Sequence, residues 1–373
     1  MTDARPACAP HPSASPWHRV EPGTPMGLVG AMRPTRNLLG VDRVLISVGV
    51  GQHLELLGGA VARLTFGLPV YNRDDYLPDA LNSLRNQDLA DIRILISDNA
   101  STDGTSDICR AAAAEDPRIE YHRYEVNRGG LWNHRNLLEL AKDTEFFSWI
   151  GSDDIKRPGF ASKCIEALDE SPADTVFAFT RSQFIDESGA ITEDRNDLHL
   201  GLDAPTAHER IRNLIRTNAA HTMYGVIRMD SLQRIRKMRA ELVFDVVLVV
   251  ELLCIGKMVL VPEQLFLQRR HAKQSSVQHI GQKTWFSPDT HPQRTFPELQ
   301  GDAGLILGVV HSDLPVGEKL LSVATLLRWW IMPRWRAILR DIANAVGVPA
   351  YMGRFRESRQ PPEADAKAPP AKL

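Results

Sequence analysis

Four short polar clusters, each directly after an apolar run, hold the residues best suited to chemistry. In Pro69-Val-Tyr-Asn-Arg73 the proline stops a strand ladder, leaving Tyr71 and Asn72 to offer a ring and an amide to a ligand. Ser97-Asp-Asn-Ala-Ser-Thr-Asp-Gly-Thr105 packs carboxylates, an amide and hydroxyls around a glycine. Asp98 there could accept a hydrogen bond from a nucleobase imino group or a ribose hydroxyl, with Ser101 beside it. Helix capping by Asp103 or Thr105 accounts for one or two of these residues, not the set. Asn127-Arg-Gly-Gly-Leu-Trp-Asn133 joins amides, paired glycines and an arginine, which suits a diphosphate or a sugar. In Gly151-Ser-Asp-Asp154 the adjacent carboxylates repel unless a cation lies between them, and hard oxygen ligands suit Mg²⁺ or Mn²⁺. Taken singly, each cluster also reads as an ordinary turn or an acidic helix cap.

Strands and helices must carry these clusters. Arg63 to Pro69, Ile92 to Ile96, Arg118 to Arg123 and Phe146 to Ile150 read as buried strands. Between them, Leu77, Leu81 and Leu84 recur at helical spacing after Asp74 and Asp75, an alanine run follows Thr105, and Leu131 to Lys142 is helical. The alternation predicts βαβ units and a mainly parallel central sheet with flanking helices, so the four clusters converge beyond the strands' carboxyl ends. Further on, the pattern predicts a strand at Thr175–Thr180, a hairpin over Ile185–Ile191, helices at Ala207–Thr217, Ser231–Arg239 and Val246–Ile255, and strands at Met258–Val261 and Leu265–Arg270.

In this order and spacing, the clusters resemble the family 2 inverting glycosyltransferases of the GT-A fold, from about Val61 to Val277. The Pro-x-Tyr-Asn, Asp-x-x-Ser-Thr-Asp-Gly-Thr and Asn-x-Gly-x-x-x-Asn motifs match as they stand. The resemblance implies a nucleoside-diphosphate sugar donor, with Pro69, Tyr71, Asn72, Asp98 and Ser101 at the nucleoside and Asn127, Gly129 and Asn133 at the ribose and diphosphate. It implies Mg²⁺ or Mn²⁺ held by Asp153, Asp154 and His271. Asp245, ahead of the apolar run that ends before Gly256, would be the base that deprotonates the acceptor hydroxyl. Two departures stand out: Gly151 occupies the first position of the usual Asp-x-Asp motif, and Phe244 stands where glutamate is common. From the residues alone, Asp245 reads equally as a helix cap and His271 as a surface histidine in a basic loop.

The chain has 373 residues, 44 Lys plus Arg against 46 Asp plus Glu, 43% hydrophobic and 24% charged residues, and a formal charge of −2. That balance fits a globular protein and disfavours one that neutralises nucleic-acid phosphates. Four scattered cysteines without a C-x-x-C pair, and no apolar stretch long enough to span a bilayer, point to a cytoplasmic protein. The division read from sequence is a flexible leader at 1–60 with one strand near Val44–Val50, a GT-A domain at 61–277, a C-terminal helical extension at 278–353 and a disordered tail at 354–373. In the extension, apolar stripes bearing Trp330 and Trp335 run beside Arg334, Arg336 and Arg340. They would lie on the inner face of the membrane if the acceptor is lipid-linked, and against the domain otherwise. A lipid-linked or polysaccharide acceptor in cell-envelope synthesis is the reading that follows. Competing readings are a decayed nucleotide-sugar or carbohydrate-binding module and a sugar-phosphate nucleotidyltransferase, though the Gly-rich start of the latter is missing after Leu68.

Overall fold

A computed structural model describes residues 62–238, 243–272 and 296–345, together with two strands nearer the start. The rest of the leader, the boundary near residue 277 and the tail lie outside the described residues. The chain divides into two units, Met1–Ala60 and Val61–Leu373. In the first, β1 (Val44–Val48) pairs antiparallel with β2 (Gln52–Leu56), so the run read as one strand has a partner that the sequence pattern missed.

The second unit is built on a sheet of β3 (Leu64–Val70), β4 (Ile92–Asp98), β5 (Ile119–Arg123), β6 (Phe146–Trp149), β7 (Ile155–Lys156), β8 (Thr175–Ile185), β9 (Ile191–Asp194), β10 (Val226–Arg228) and β11 (Lys257–Arg269). Their spatial order is β5-β4-β3-β6-β10-β8-β11-β7, with β9 on β8. The strands β5, β4, β3 and β6 are parallel, as the alternating pattern predicts. Beyond β6 the sheet is mixed. Strand β10 runs antiparallel to both neighbours, β8 and β11 are parallel, and β7 and β9 pair antiparallel at the margin. The two short runs at 258–270 are one long bulged strand, because β11 follows β8 through shifts of register. The expected hairpin is formed by β8 and β9, closed by the turn at Asp186–Gly189.

Helices α1 (Leu77–Arg85), α2 (Thr105–Glu115) and α3 (Gly130–Leu140) connect the parallel strands. In α1, Leu77, Leu81 and Leu84 form the buried stripe. Asp74 and Asp75 do not cap it: Tyr76 is the N-cap, and Asp74 instead accepts from the Gly104 amide. After α4 (Phe160–Glu170) and α5 (Ala207–Thr217) comes a 3₁₀ turn, Ala219–Tyr224, then α6 (Met229–Arg234) and α7 (Phe244–Ile255). Every residue of α7 from Val246 to Cys254 is buried, the mark of a helix enclosed on all sides. Its internal charge, Glu251, accepts from Arg236 Nε at 2.6 Å. The helical C-terminal region comprises α8 (Pro297–Val310), α9 (Val316–Leu326) and α10 (Trp335–Ala345), the last two joined by a π turn and a 3₁₀ turn. Among the described residues, no helix is long and apolar enough to cross a membrane.

Candidate active site

Because β3, β4, β5 and β6 are parallel, the loops at their carboxyl ends meet at one edge. They are stitched there by side chains. The Asn72 amide donates to Ser101 Oγ (3.0 Å), Asn72 Oδ1 accepts from the Thr102 amide (2.8 Å), and the Arg73 amide donates to Thr105 Oγ1 (2.8 Å). Asn72 takes a left-handed backbone, φ 51°, so its side chain folds back onto the second loop. Tyr71, beside it, is exposed.

Asp98, at the end of β4, is fully buried and its oxygens are engaged. Oδ1 accepts from the Ser101 amide (2.8 Å), and Oδ2 accepts from Ser106 Oγ (2.8 Å) and the Tyr121 hydroxyl (2.6 Å). Burial pushes its carboxyl up, but the hydrogen bonds from Ser101, Tyr121 and Ser106 outweigh that and hold it below the ordinary value. Burial first, and then the hydrogen bond to Asp98, push the Tyr121 hydroxyl up to about 12. Asn133, on α3, is equally occupied. It accepts from Ser97 Oγ and donates to the Ser97 carbonyl (2.8 Å) and the Val70 carbonyl (3.3 Å), pinning α3 to the ends of β3 and β4. Asn99, not singled out from sequence, is the buried junction between the second and third loops. Its Nδ2 donates to Asn127 Oδ1 (2.7 Å) and the Gly129 carbonyl (3.2 Å), while Oδ1 accepts from the Arg128 amide (2.9 Å). Gly129 stands at φ 89°, where a side chain would be strained, and opens α3 so that its first amides face this edge.

The acidic turn lies beyond β6. Asp153 Oδ2 meets His271 Nε2 at 2.8 Å, and Asp154 Oδ1 accepts from the Arg269 amide at 3.0 Å. Arg269, passed over in the sequence reading, is buried behind the turn. Its guanidinium donates to the Asp153 carbonyl, the Asp186 and Glu187 carbonyls and Asp79 Oδ2, and lies over the Tyr76 ring. Lys156, also fully buried, donates to Ser148 Oγ and to the carbonyls of Trp149 and Tyr224. Burial and the charge of Asp153 push the Asp154 carboxyl well above its ordinary value.

The first-position glycine of the acidic motif has a spatial reason. A Cβ on Gly151 would fall 2.7 Å from Asp154 Oδ2 and 2.8 Å from Asp153 Oδ1. The two carboxylates therefore converge on the space that an Asp-x-Asp side chain would fill. Converging carboxylate oxygens fit a hard divalent cation, and among the described residues the buried Nδ1 of His271 has no hydrogen-bond partner. They form a pair rather than a cage: among the described residues, no three His, Cys, Asp or Glu side chains gather as a metal-binding group. His271 is bonded to Asp153, with its ring against Tyr76.

Asp245 opens α7 next to Phe244, whose ring contacts His134 on α3. Burial pushes the Asp245 carboxyl up, against the backbone amides at the helix start. Among the described residues no hydrogen bond joins it to the other predicted site residues, yet the Tyr224 hydroxyl is pushed up by burial and then by the charges of Asp154, Asp153 and Asp245. All three charges are thus near enough to act on one tyrosine. The sequence predicted the polar loops, and the fold joins them; the buried cations Lys156 and Arg269 carried no sequence signal as site residues.

Comparison with known proteins agrees with this geometry. Residues 65–234 match the model of glycosyl transferase family 2. An abequosyltransferase, RfbV, of Salmonella typhimurium is 42% identical over 95 residues, 24% of this chain and 28% of that protein. The glycosyltransferase GlyG of Streptococcus pneumoniae is 30% identical over 110 residues, 29% of this chain and 36% of that protein. A GalNAc(5)-diNAcBac-PP-undecaprenol β-1,3-glucosyltransferase of Campylobacter jejuni is 30% identical over 112 residues, 30% and 36% respectively. The matches therefore span about a third of the curated relatives' length. The crystal structure of S. aureus TarS 1–349 in complex with UDP-GlcNAc superposes with a TM-score of 0.53 at 14% identity, over 77% of this chain and 81% of that one. Residues 65–234 of the chain are a glycosyl transferase family 2 domain, carried on a GT-A fold.

Proposed function

We propose that the chain transfers a sugar from a nucleoside diphosphate to an acceptor hydroxyl in one step, with inversion, in the synthesis of a cell-envelope glycolipid or polysaccharide. The observation that carries this reading is the convergence of the Asp153 and Asp154 carboxylates beside loops that meet at the parallel strands' carboxyl ends. Tyr71 offers an exposed ring to the base, with Pro69, Asn72 and Ser101 shaping its seat. Asp98 and Asn133, whose hydrogen bonds are internal, hold that seat in place. Asn127 and Gly129 present the start of α3 to the ribose and diphosphate.

Asp153 and Asp154 would hold a divalent cation together with donor phosphate oxygens, with His271 orienting Asp153. Such an ion would neutralise charge on the departing diphosphate. Asp245 accepts the acceptor's proton as its oxygen bonds to the anomeric carbon; the bond from that carbon to the diphosphate breaks, and the nucleoside diphosphate leaves. Burial raises the basicity of Asp245, which suits a group that must take a proton in the transition state. The relatives' names support a lipid-linked or polysaccharide acceptor, which would place the protein at the cytoplasmic face of the membrane.

A donor screen by nucleotide release, with Mg²⁺ or Mn²⁺ and envelope glycolipid acceptors, tests the proposal. Acceptor-dependent release by the wild type, lost in Asp245→Asn, is the expected result. Binding of nucleotide with no release from any donor would identify a binding module instead.

A further inference from the structure

We propose that the outer face of the C-terminal helices is a docking surface for an anionic lipid bilayer. The inference rests on the lipid-linked acceptor reading above and names the surface that would serve it.

Segment 316–345 turns Trp330, Arg334 and Asp341 inward. Trp330 Nε1 and Arg334 Nη1 both donate to Asp302 Oδ1 at 3.0 Å, and Arg334 also meets Glu298. Asp341, 3% exposed, accepts from the amides of Glu298 and Leu299 at the start of α8. With Asp341 facing inward, the apolar stripe of α10 faces out: Trp335, Leu339 and Ile342 are 52%, 52% and 43% exposed, and Met332 just before them is 66% exposed. Offsets of four and three place the first three on one line along the helix. A helix packed on its own domain has the reverse arrangement, with the stripe buried and the carboxylate in water.

Charge selects the occupant. The two acidic residues of the segment are both engaged inward, Glu318 with His208 and Asp341 with α8. Outward stand Arg328, over the Trp329 ring, and Arg336, over the Trp335 ring. Exposed tryptophans, each under a guanidinium, beside an aliphatic stripe match the headgroup boundary: the rings and aliphatic chains enter it and the arginines reach lipid phosphate. A second copy fits worse, because the segment carries five Lys and Arg against two acidic residues, and a two-fold contact through this face would set like charges against each other.

Flotation of the full chain with phosphatidylglycerol-containing vesicles and with pure phosphatidylcholine vesicles tests the assignment. The wild type should float with the anionic vesicles, and high salt should release it. Arg328→Glu, and separately Trp335→Ser with Leu339→Ser, should each cut the bound fraction by roughly tenfold, with Tm unchanged because these side chains are exposed. Three results would overturn the proposal: wild type left unbound by anionic vesicles, unchanged partitioning of the variants, or a dimer abolished by the Trp335→Ser pair. Nucleotide release with a soluble acceptor, measured in parallel, separates the two ideas. Retained release with no flotation refutes the lipid surface alone, and flotation with no release refutes sugar transfer alone.

Discussion

The loops after β3, β4 and β5 and the acidic turn after β6 lie at the same sheet edge, yet they are built on opposite principles. In the first region nearly every polar side chain is answered by another: Asp98 by three donors, Asn133 by three partners, Asn99 by loops on either side. In the second, Asp153 and Asp154 converge on one space, burial and the charge of Asp153 raise Asp154, and the half-buried Asp245 has no counter-ion bonded to it among the described residues. A saturated network makes a rigid mould, whereas crowded carboxylates with raised proton affinity suit a cation or a proton from a ligand. The contrast divides the predicted site into residues that shape and residues that react.

Three substitutions can break that division. Asp245→Asn belongs to the reacting side and has the largest expected effect: transfer should fall by about three orders of magnitude, the range for a lost general base, with nucleotide affinity preserved. Product formation alongside calorimetric titration of the nucleotide checks this, and wild-type turnover would remove Asp245 from the mechanism. Asn133→Ala belongs to the shaping side. It strips partners from Ser97 and Val70 inside the core, so it should lower stability by about 3 kcal/mol, read from urea unfolding. Unchanged stability with weakened donor binding would move Asn133 to the reacting side. Gly151→Ala forces its Cβ within 2.8 Å of both carboxylates, so they must rotate apart. Mn²⁺ affinity, followed by spin resonance, should drop roughly tenfold while the fold is retained. Equal affinity in the variant would show that the ion does not sit between these oxygens.

The shaping side was the more legible half. Proline, glycine and asparagine directly after apolar runs mark strand-to-loop junctions, and four in succession define a parallel sheet edge. Legibility stopped at direction. A buried Asp98 and a ligand-facing one look identical in sequence, because their partners, Ser101, Ser106 and Tyr121, are chosen by the fold. Arg269 was illegible for a stronger reason: its carboxylate partner, Asp79, lies 190 residues away, and its other acceptors are carbonyls. The mixed half of the sheet was missed in detail because β10 is three residues long and β11 is interrupted by bulges. In the C-terminal helices the sequence supplied the tryptophans and arginines but not their sides. Helical spacing put Trp330 and Arg334 in stripes that could face either lipid or the domain, and both turn inward to Asp302.

The smallest effect sharpens the comparison most directly, because the two regions should titrate with opposite signs. Asp98 is held below the ordinary aspartate value of 3.8, so its charge stabilises the fold above that pH, and the contribution is lost as pH falls through the depressed folded value. Asp245 is raised above 3.8, so the folded state takes up its proton first. Its contribution is fully favourable below 3.8 and is lost as pH rises through the raised value. Urea midpoints of the wild type, Asp98→Asn and Asp245→Asn across acidic to neutral pH measure both. The deficit of Asp98→Asn should be greatest near neutrality and shrink in acid. The advantage of Asp245→Asn should also be greatest near neutrality, with the opposite sign, and should shrink at a higher pH than the Asp98 deficit does. The acid limb of the transfer rate should fall above 3.8 for the same reason, since Asp245 must be unprotonated to act. Deficits of the same sign for both variants would mean that the two carboxylates share one environment, and the division between shaping and reacting residues would fail at Asp245.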